Sequence, residues 1–306
     1  MKKVFLFSAF AVLLAGCSEN VISFKDKPIT VTADVDGMQT RSGYEGTLVL
    51  PKVFYLTITQ NENEAEYNYT NVEMKKGNSN QYTTGENIRW QYETNPSPLF
   101  VSAYTINGTE VTVDVDQTTG EKVTQNDLLG AVSTTSGDIS IKSANVAVNF
   151  RHMLCKLDIT FSWGEGLKNA TNKEITKVLY QGFGTSALLN RTSASIITGA
   201  TDTTDDISAS LSKVTENGEV KNYSEAIFAP KAVEPKILIT TLVDDVERMF
   251  VYKVTLPEGG FVSGYRYTMD VSIDGTAVEE KNVESVAALI VGGWGNPVAG
   301  GDLTTN

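Results

Sequence analysis

Short runs of alternating apolar and polar residues constrain the fold of this chain more than any other feature. An apolar residue at every second position is typical of a β-strand that buries one face. Turn signals such as Asn107-Gly108 and Asp274-Gly275 separate the runs, and only Asn126–Val132 favours a turn or two of helix. Strands at this spacing, without helical crossovers, predict an all-β chain built from antiparallel sandwiches. The candidate strands are Thr47–Thr59, Leu99–Ile106, Val111–Val115, Ile139–Ile141, Ala144–Phe150, Leu154–Phe161, Ile175–Tyr180, Ile237–Leu242, Met249–Leu256, Tyr265–Ile273 and Val286–Val291.

Two polar stretches and one gap divide this series of strands. Gln60–Thr84 and Ser193–Gly218 are rich in Asn, Thr and Glu, and they predict surface excursions at the ends of a sandwich. The clearest gap between strand groups is Trp163–Lys173, and 306 residues suffice for two domains. We therefore expect an N-terminal β-sandwich over 42–165 and a C-terminal β-sandwich over 166–306.

The first residues, MKKVFLFSAFAVLLAGC, have the form of a bacterial signal peptide. Lys2 and Lys3 precede the apolar stretch Val4–Leu14, which is too short to span a bilayer comfortably. The sequence LAGC resembles a lipobox, in which small residues suit the signal peptidase and the thiol of Cys17 carries the diacylglycerol. The pattern predicts a lipoprotein signal peptide over 1–16, and Ser18 after the cysteine favours the outer membrane. An ordinary secretory signal with an incidental cysteine is the alternative.

The charge balance excludes one class of ligand. The chain has 25 basic and 37 acidic residues and a net charge of −12. Nucleic acid and anionic lipid surfaces both need a basic footprint on the protein, so we expect neither as a ligand. An acidic surface suits an exposed extracellular protein. With Cys17 lipidated, Cys155 is left unpaired, and its apolar surroundings indicate a small buried side chain.

The sequence offers little support for catalysis. The single histidine, His152, stands three residues before Cys155, so in one continuous strand their side chains would lie on opposite faces. Two acidic groups have part of a calcium-loop rhythm but not its full ligand set, and hairpin turns with solvated carboxylates explain them better. We predict no catalytic residue, no cofactor and no metal ligand. The acidic groups are Asp34 and Asp36, and Asp114, Asp116 and Glu121.

One early segment combines a buried strand with a protease site. In ITVTADVDGMQTR, four small or branched apolar residues alternate with Thr and Asp, and a glycine turn and Arg41 follow. A protease specific for arginine would cut between Arg41 and Ser42. The alternative is that Arg41 is an exposed loop residue that is never cut. The four apolar residues of the predicted strand are Ile29, Val31, Ala33 and Val35.

Several motifs, taken in their order along the chain, resemble the fimbrillin family of type V pilin-like lipoproteins. In the middle of the chain stand NDLLGAVSTT and VAVNFRHMLCKLDITF, and upstream of them stands IRWQYETNPSPLFVSAY. Downstream stand AIFAPKAVEPKILIT, GYRYTMDVSIDGT and LIVGGWGNP. Each motif alone is loose, but their order and the lipobox together identify the family.

The resemblance implies a fold and a mode of assembly. It implies two transthyretin-like antiparallel β-sandwich domains in tandem, preceded by a lipidated propeptide over 17–41 that contains a removable strand. It further implies transport to the outer membrane, cleavage by an arginine-specific protease, and polymerisation with other pilin subunits by donor-strand exchange. The chain would then be a shaft, anchor or tip subunit of a fimbrium that supports cell adhesion.

Two questions stay open: whether the C-terminal strand acts as the donor, and whether the chain functions as a fimbrial subunit. The donor would be the strand with Val286, Ala288 and Ile290 on one face, unless that strand stays in its own domain. The alternative function is that of a membrane-tethered surface lipoprotein that binds glycan or a host protein as a monomer. Exposed aromatic side chains would bind the sugar faces in that case, and Trp163 and Tyr82 are the candidates.

Overall fold

The computed structural model describes most of the chain. The described residues are 23–35, 50–167, 169–199, 202–216, 218–256 and 259–274, with the backbone of two short strands at 283–284 and 290–293. Strands are their main secondary structure and helices are few and short, which confirms the all-β prediction. The transthyretin-like tandem arrangement stays a prediction.

The first half of the chain contains nine strands and one short helix among its described residues. A 3-10 turn at Ala65–Tyr67 precedes β3. The elements are β1 (Thr30–Val35), β2 (Val53–Thr59), β3 (Tyr69–Lys76), β4 (Gln81–Thr83), β5 (Phe100–Tyr104), β6 (Glu110–Thr112), α1 (Gly120–Gln125), β7 (Leu129–Val132), β8 (Ile139–Lys142) and β9 (Asn145–His152).

The second half begins with β10 and contains a second 3-10 turn at Glu165–Leu167. Its strands are β10 (Cys155–Trp163), β11 (Lys173–Gly184), β12 (Ser186–Asn190), β13 (Ser195–Ile197), β14 (Thr204–Ser208), β15 (Ser210–Glu216), β16 (Glu219–Val243), β17 (Val246–Lys253), β18 (Tyr265–Ile273), β19 (Val283–Glu284) and β20 (Ile290–Gly293).

The strands of the first half pair into a sheet that closes on itself. The order is β1-β4-β3-β2-β5-β7-β9-β8, and β1 also pairs with β9, so the circuit from β1 through β4, β2 and β7 returns to β1. This sheet encloses one hydrophobic core, whose largest fully buried side chains include Trp90, Phe54 and Phe150. The strand at the N-terminus thus occupies the position where the sheet closes.

The second sheet contains the strands from β10 onward. Its order is β14-β11-β16-β10-β18-β19, with β15 and β17 on β16 and β20 on β18. The change of sheet falls between His152, the last residue of β9, and Cys155, the first residue of β10. A small sheet of β13, β12 and β6 joins the two halves. The domain limits 42–165 and 166–306 stay predictions.

Several local expectations were wrong. The polar stretch 60–84 contains β3 and β4, and the stretch 193–218 contains β13, β14 and β15. The helix lies at α1, where Thr119 caps its N-terminus by accepting a hydrogen bond from the Lys122 amide, and β7 occupies most of the segment expected to be helical. Two pairings are parallel, β1 with β9 and β10 with β18, in sheets expected to be antiparallel.

Within the described residues, no helix is both long enough and apolar enough to span a bilayer. The helix α1 has six residues.

Candidate functional site

The first strand buries the face that the alternation predicts. Ile29, Val31, Ala33 and Val35 are each at most 6% exposed, while Thr30 and Asp34 point to solvent. The four apolar residues belong to the core of the first sheet. The strand is therefore an integral part of this core and not a loose leader segment.

The two edges of β1 are paired unequally. On one edge six residues pair in parallel with β9, from Thr30 with Asn145 to Val35 with Phe150. On the other edge only Val31 and Thr32 pair with β4, a strand of three residues. The amide of Ala33 adds one hydrogen bond, 2.9 Å long, to the carbonyl oxygen of Asn80. The strand thus lies between a long ladder and a short one.

The residues before β1 are anchored on the segment 88–93. The amide of Ile29 donates to the carbonyl oxygen of Ile88 at 3.0 Å, and Asp26 and Lys27 exchange backbone hydrogen bonds with Trp90 at 2.8 and 3.1 Å. The guanidinium of Arg89 donates to the carbonyl oxygen of Asp26 at 2.8 Å. These bonds extend the contact beyond the strand itself.

An aromatic cluster lines the core beneath β1. The ring centroids of Phe54 and Tyr82 lie 4.7 Å apart, and those of Phe54 and Phe150 lie 5.1 Å apart in an edge-to-face arrangement. Trp90 is fully buried, and its indole N–H donates to the carbonyl oxygen of Ala144 at 3.0 Å. The buried side chains of β1 therefore belong to the same core as these aromatic rings.

The raised pKa of the Tyr82 phenol makes the stability of this region depend on pH in alkaline solution. Burial raises the pKa of Tyr82 to about 12, and its hydroxyl donates to the carbonyl oxygen of Pro51 at 2.6 Å. The unfolded chain loses this phenolic proton near pH 10, and the folded chain loses it only near pH 12. Stability from this group is complete below pH 10 and is lost between pH 10 and 12, because the unfolded state ionises first.

We therefore predict that Tyr82→Phe makes the free energy of unfolding fall less steeply as the pH rises above 10. At neutral pH the variant should lose about 1 kcal/mol, the typical net contribution of one hydrogen bond. Denaturant titrations at neutral and alkaline pH measure both effects. An unchanged slope above pH 10 in the variant would show that the Tyr82 phenol is not protected by folding.

Several predicted site residues lie outside the described part of the chain. These are Cys17, Arg41 and Ser42, and Val286 and Ala288 of the candidate donor strand. The backbone of β20 is described, and it pairs antiparallel with β18, with Ile290 opposite Thr268. The end of the candidate donor thus has a place in the second sheet of its own chain.

The histidine and the buried cysteine have different partners. His152 ends β9, and its Nδ1 lies 2.8 Å from a carboxylate oxygen of Asp127. Cys155 begins β10, and its thiol donates to the carbonyl oxygen of Val262 at 3.1 Å. Burial raises the pKa of this thiol, which opposes formation of a thiolate nucleophile. The two contacts hold the end of β9 and the start of β10 in place.

The acidic groups have structural partners where they are described. Asp116 forms an ion pair with Lys122 and accepts a hydrogen bond from the Thr118 hydroxyl at 2.8 Å. Asp114 accepts from the Asp116 amide at 2.9 Å. Among the described residues, no three His, Cys, Asp or Glu side chains come close enough to bind a metal ion. Of the other acidic pair, Asp34 is exposed and Asp36 lies outside the described residues.

The suggested sugar-stacking residues do not form an exposed aromatic surface. Tyr82 is 4% exposed and belongs to the core beneath β1, so the expectation that it binds glycan was wrong. Trp163 is half-buried at the end of β10 and packs against the second core.

The sequence did not identify the receiving side of the site. Asn145 binds Thr32 through its side-chain amide at 3.0 Å, and Ala144 accepts hydrogen bonds from both the Thr30 amide and the Trp90 indole. The available signal was the run of alternating residues in β9, which predicts a strand but does not name its neighbour.

Solved structures of other proteins share this fold. A protein of Bacteroides ovatus proposed to function in cell adhesion aligns with a TM-score of 0.59 and 16% identity, over 88% of this chain and 98% of the other. A protein of Bacteroides uniformis, also proposed to function in cell adhesion, aligns with a TM-score of 0.54 and 21% identity, over 87% and 99%. At these identities the similarity shows the fold alone. A search of curated proteins gives no match.

The sequence also matches a family model. The model is described as fimbrillin-like, and it matches residues 51–291, which is most of the chain and includes every strand from β2 to β19. The chain therefore belongs to the fimbrillin-like family, a family of fimbrial structural proteins and not of enzymes.

Proposed function

We propose that this fimbrial subunit is exported as an outer-membrane lipoprotein, is cut after Arg41, and assembles when a strand of another subunit replaces β1. Its family makes it a cell-surface fimbrial or adhesion protein. The observation that carries the proposal is the position of β1, which closes the first sheet and, together with Ile29 just before it, buries four apolar side chains in its core.

The pairing of β1 supports its replacement by a foreign strand. Without β1, the edge of β9 from Asn145 to Phe150 would lose its partner, and the aromatic cluster would face an open cleft. An exposed edge of this kind pairs readily with any available strand. Filling the cleft during export keeps the precursor from pairing too early.

The cut after Arg41 would change how β1 is held. Before the cut, β1 is covalently joined to β2 through the segment that contains Arg41. After the cut, hydrogen bonds and apolar contacts alone hold residues 17–41 on the subunit. The lipid on Cys17 would remain with this peptide, so processing would release the subunit from its membrane anchor when the strand leaves.

The C-terminal segment has a pattern that fits the vacated cleft. In β1 the buried face reads Val31, Ala33, Val35, and in the same direction the C-terminal segment reads Val, Ala, Ile at Val286, Ala288 and Ile290. A small residue thus falls at the central position in both segments. Because β20 pairs with β18 in its own chain, donation requires this strand to leave that edge.

Limited proteolysis tests the proposal. The purified precursor is treated with an arginine-specific protease, and the product is examined by N-terminal sequencing and on a gel without boiling. We expect a new N-terminus at Ser42 and a ladder of multimers. Before cleavage the wild-type protein should fractionate with the outer membrane, and Cys17→Ser should not.

Two variants separate processing from assembly. Arg41→Lys keeps the charge but removes the arginine, so it should give neither cleavage at this position nor multimers. Ala288→Asp should be cleaved normally but should form no ladder, because it places a charge on the proposed donor face. A wild-type chain that is cut after Arg41 and stays monomeric would overturn assembly by strand exchange.

A further inference from the structure

The outer edge of β17 forms no ladder with any described strand, although the two-residue strand β19 approaches β17. Among the described residues, β17 pairs with β16 only, and its eight residues contain no proline or glycine. Met249 is 55% exposed, and Glu247 and Lys253 are also exposed. Native proteins usually protect an edge of this length with a proline, a bulge, charged side chains or a covering loop. Within the described residues, β17 has neither a proline nor a bulge, so its charged side chains and the short neighbour β19 are the protection that this edge has.

The turn before β17 determines which backbone groups point outward. Val243 and Val246 pair across a loop of two residues, Asp244 and Asp245, whose φ angles are +49° and +64°. Positive φ at both positions is typical of a type I′ hairpin, in which the residues flanking the loop form a hydrogen-bonded pair. Antiparallel ladders alternate, so the odd-numbered residues of β17 direct their N–H and C=O groups away from β16.

We propose that β17 pairs antiparallel with β17 of a second copy of this chain, around a two-fold axis at Phe250. In this register Met249 lies opposite Val251 of the second copy, and Glu247 lies opposite Lys253. The two-fold axis repeats each pair, as in any isologous interface. Both pairs use odd-numbered residues, whose backbone groups point toward the second copy.

Charge complementarity selects this register. The outward side chains of β17 read Glu, Met, Val, Lys at 247, 249, 251 and 253, so an antiparallel copy matches acid with base and apolar with apolar. A shift by two residues places Glu247 opposite Val251, or Met249 opposite Lys253. Opposite charges directly across a ladder are favourable, and each alternative register loses them.

An apolar row on the same face continues into the interface. Leu179, Leu238 and Val251 stand side by side on β11, β16 and β17, and all three are half-buried. In the proposed pair, Met249 of the second copy extends this row across the axis. The pairing therefore covers apolar surface and satisfies backbone groups at the same time.

Charge reversal tests the pairing in the uncleaved mature chain carrying Cys17→Ser, which keeps β1 in place and omits the lipid. Wild type should dimerise at micromolar concentration in sedimentation velocity. Glu247→Lys or Lys253→Glu alone should weaken dimerisation about tenfold or more, because like charges then face each other twice. The double variant E247K/K253E should restore it.

A matched control and a second measurement complete the test. Lys177→Glu reverses the charge of an exposed side chain on β11 of the same sheet, away from the edge, and should leave dimerisation unchanged. The amides of Met249 and Val251 should become protected from hydrogen exchange as the protein concentration rises. A chain that stays monomeric, or a double variant that dimerises no better than either single variant, would overturn the proposal.

Discussion

A mature chain that begins at Ser42 should unfold at a clearly lower denaturant concentration than one that begins at Cys17. The shorter chain lacks Ile29 and the three apolar side chains of β1 that are buried in the first core. Burying such a set contributes about 4–8 kcal/mol before the entropy cost of ordering the strand is subtracted. We expect a net loss on the order of a few kcal/mol, which is a large part of a domain's usual stability.

Adding the missing segment back should restore the lost stability. A peptide with the sequence of residues 23–35, SFKDKPITVTADV, contains β1 and the residues anchored on 88–93. A ligand that binds only the folded state stabilises it by about 2.7 kcal/mol at one hundred times its dissociation constant. The unfolding midpoint of the shorter chain should therefore rise with peptide concentration.

A matched peptide makes this result specific. Replacing Val31 and Val35 by Asp in the peptide places two charges in the buried positions, and this peptide should not bind. If the chain that begins at Ser42 is as stable as the longer chain, or if both peptides act alike, β1 does not complete the first core. The experiment needs no protease, so it tests the strand separately from processing.

The burial of β1 could be predicted because alternation is a local property of a strand. Val31 and Ala33 are separated by one polar residue, and that spacing alone puts both on one face. When only one face of a strand packs on the core, that face must be the apolar one, as the structure shows for β1. The same reasoning identified the strand β9 almost in full.

The partner of β1 could not be predicted, because pairing is not local. Thr30 and Asn145 are 115 positions apart, and their strands run parallel. Alternation tells nothing about which strand lies next to another or in which direction. The receiving side of the candidate site, Ala144 and the indole of Trp90 included, therefore became visible only in the structure.

Polar strands escaped prediction for a different reason. In β3 only Val72 and Met74 are buried, and in β14 only Ile207 is. With so few apolar residues, these segments have the composition of surface loops. Their hydrogen-bonded neighbours supply the stabilisation that their own sequences do not indicate, because propensity in sheets depends strongly on context.

The second sheet contains a buried cluster of charges that gives the other large expected effect. Asp158 on β10 is 3% exposed and forms an ion pair with Arg266 on β18, whose side chain is 10% exposed. Lys156 forms an ion pair with Glu225 on β16 and lies 3.6 Å from Asp158. Burial lowers the pKa of Lys156, but the carboxylates of Asp158 and Glu225 raise it by more than burial lowers it. The pKa is therefore raised on balance, and the amine stays charged.

We predict that Arg266→Met lowers the free energy of unfolding by up to about 3–5 kcal/mol, the typical cost of removing one partner of a buried ion pair, because only Lys156, 3.6 Å away, then remains as a cation beside Asp158. The exposed pair Lys122 and Asp116, with side chains 41% and 52% exposed, provides the matched control. Lys122→Met should cost less than about 1 kcal/mol, because water screens exposed ion pairs. Denaturant titrations of both variants measure the difference.

The double variant R266M/D158L decides whether the loss arises from the Asp158 carboxylate that Arg266→Met leaves without its guanidinium partner. Replacing a buried ion pair by apolar side chains of similar volume is often neutral, so the double variant should recover much of the stability lost by Arg266→Met. Recovery would mean that the ion pair serves mainly to align β10 with β18 and adds little net stability. If the double variant loses as much stability as Arg266→Met does, the effect arises from packing of the Arg266 side chain. If Arg266→Met alone costs less than about 1 kcal/mol, solvent reaches Asp158 and screens its charge.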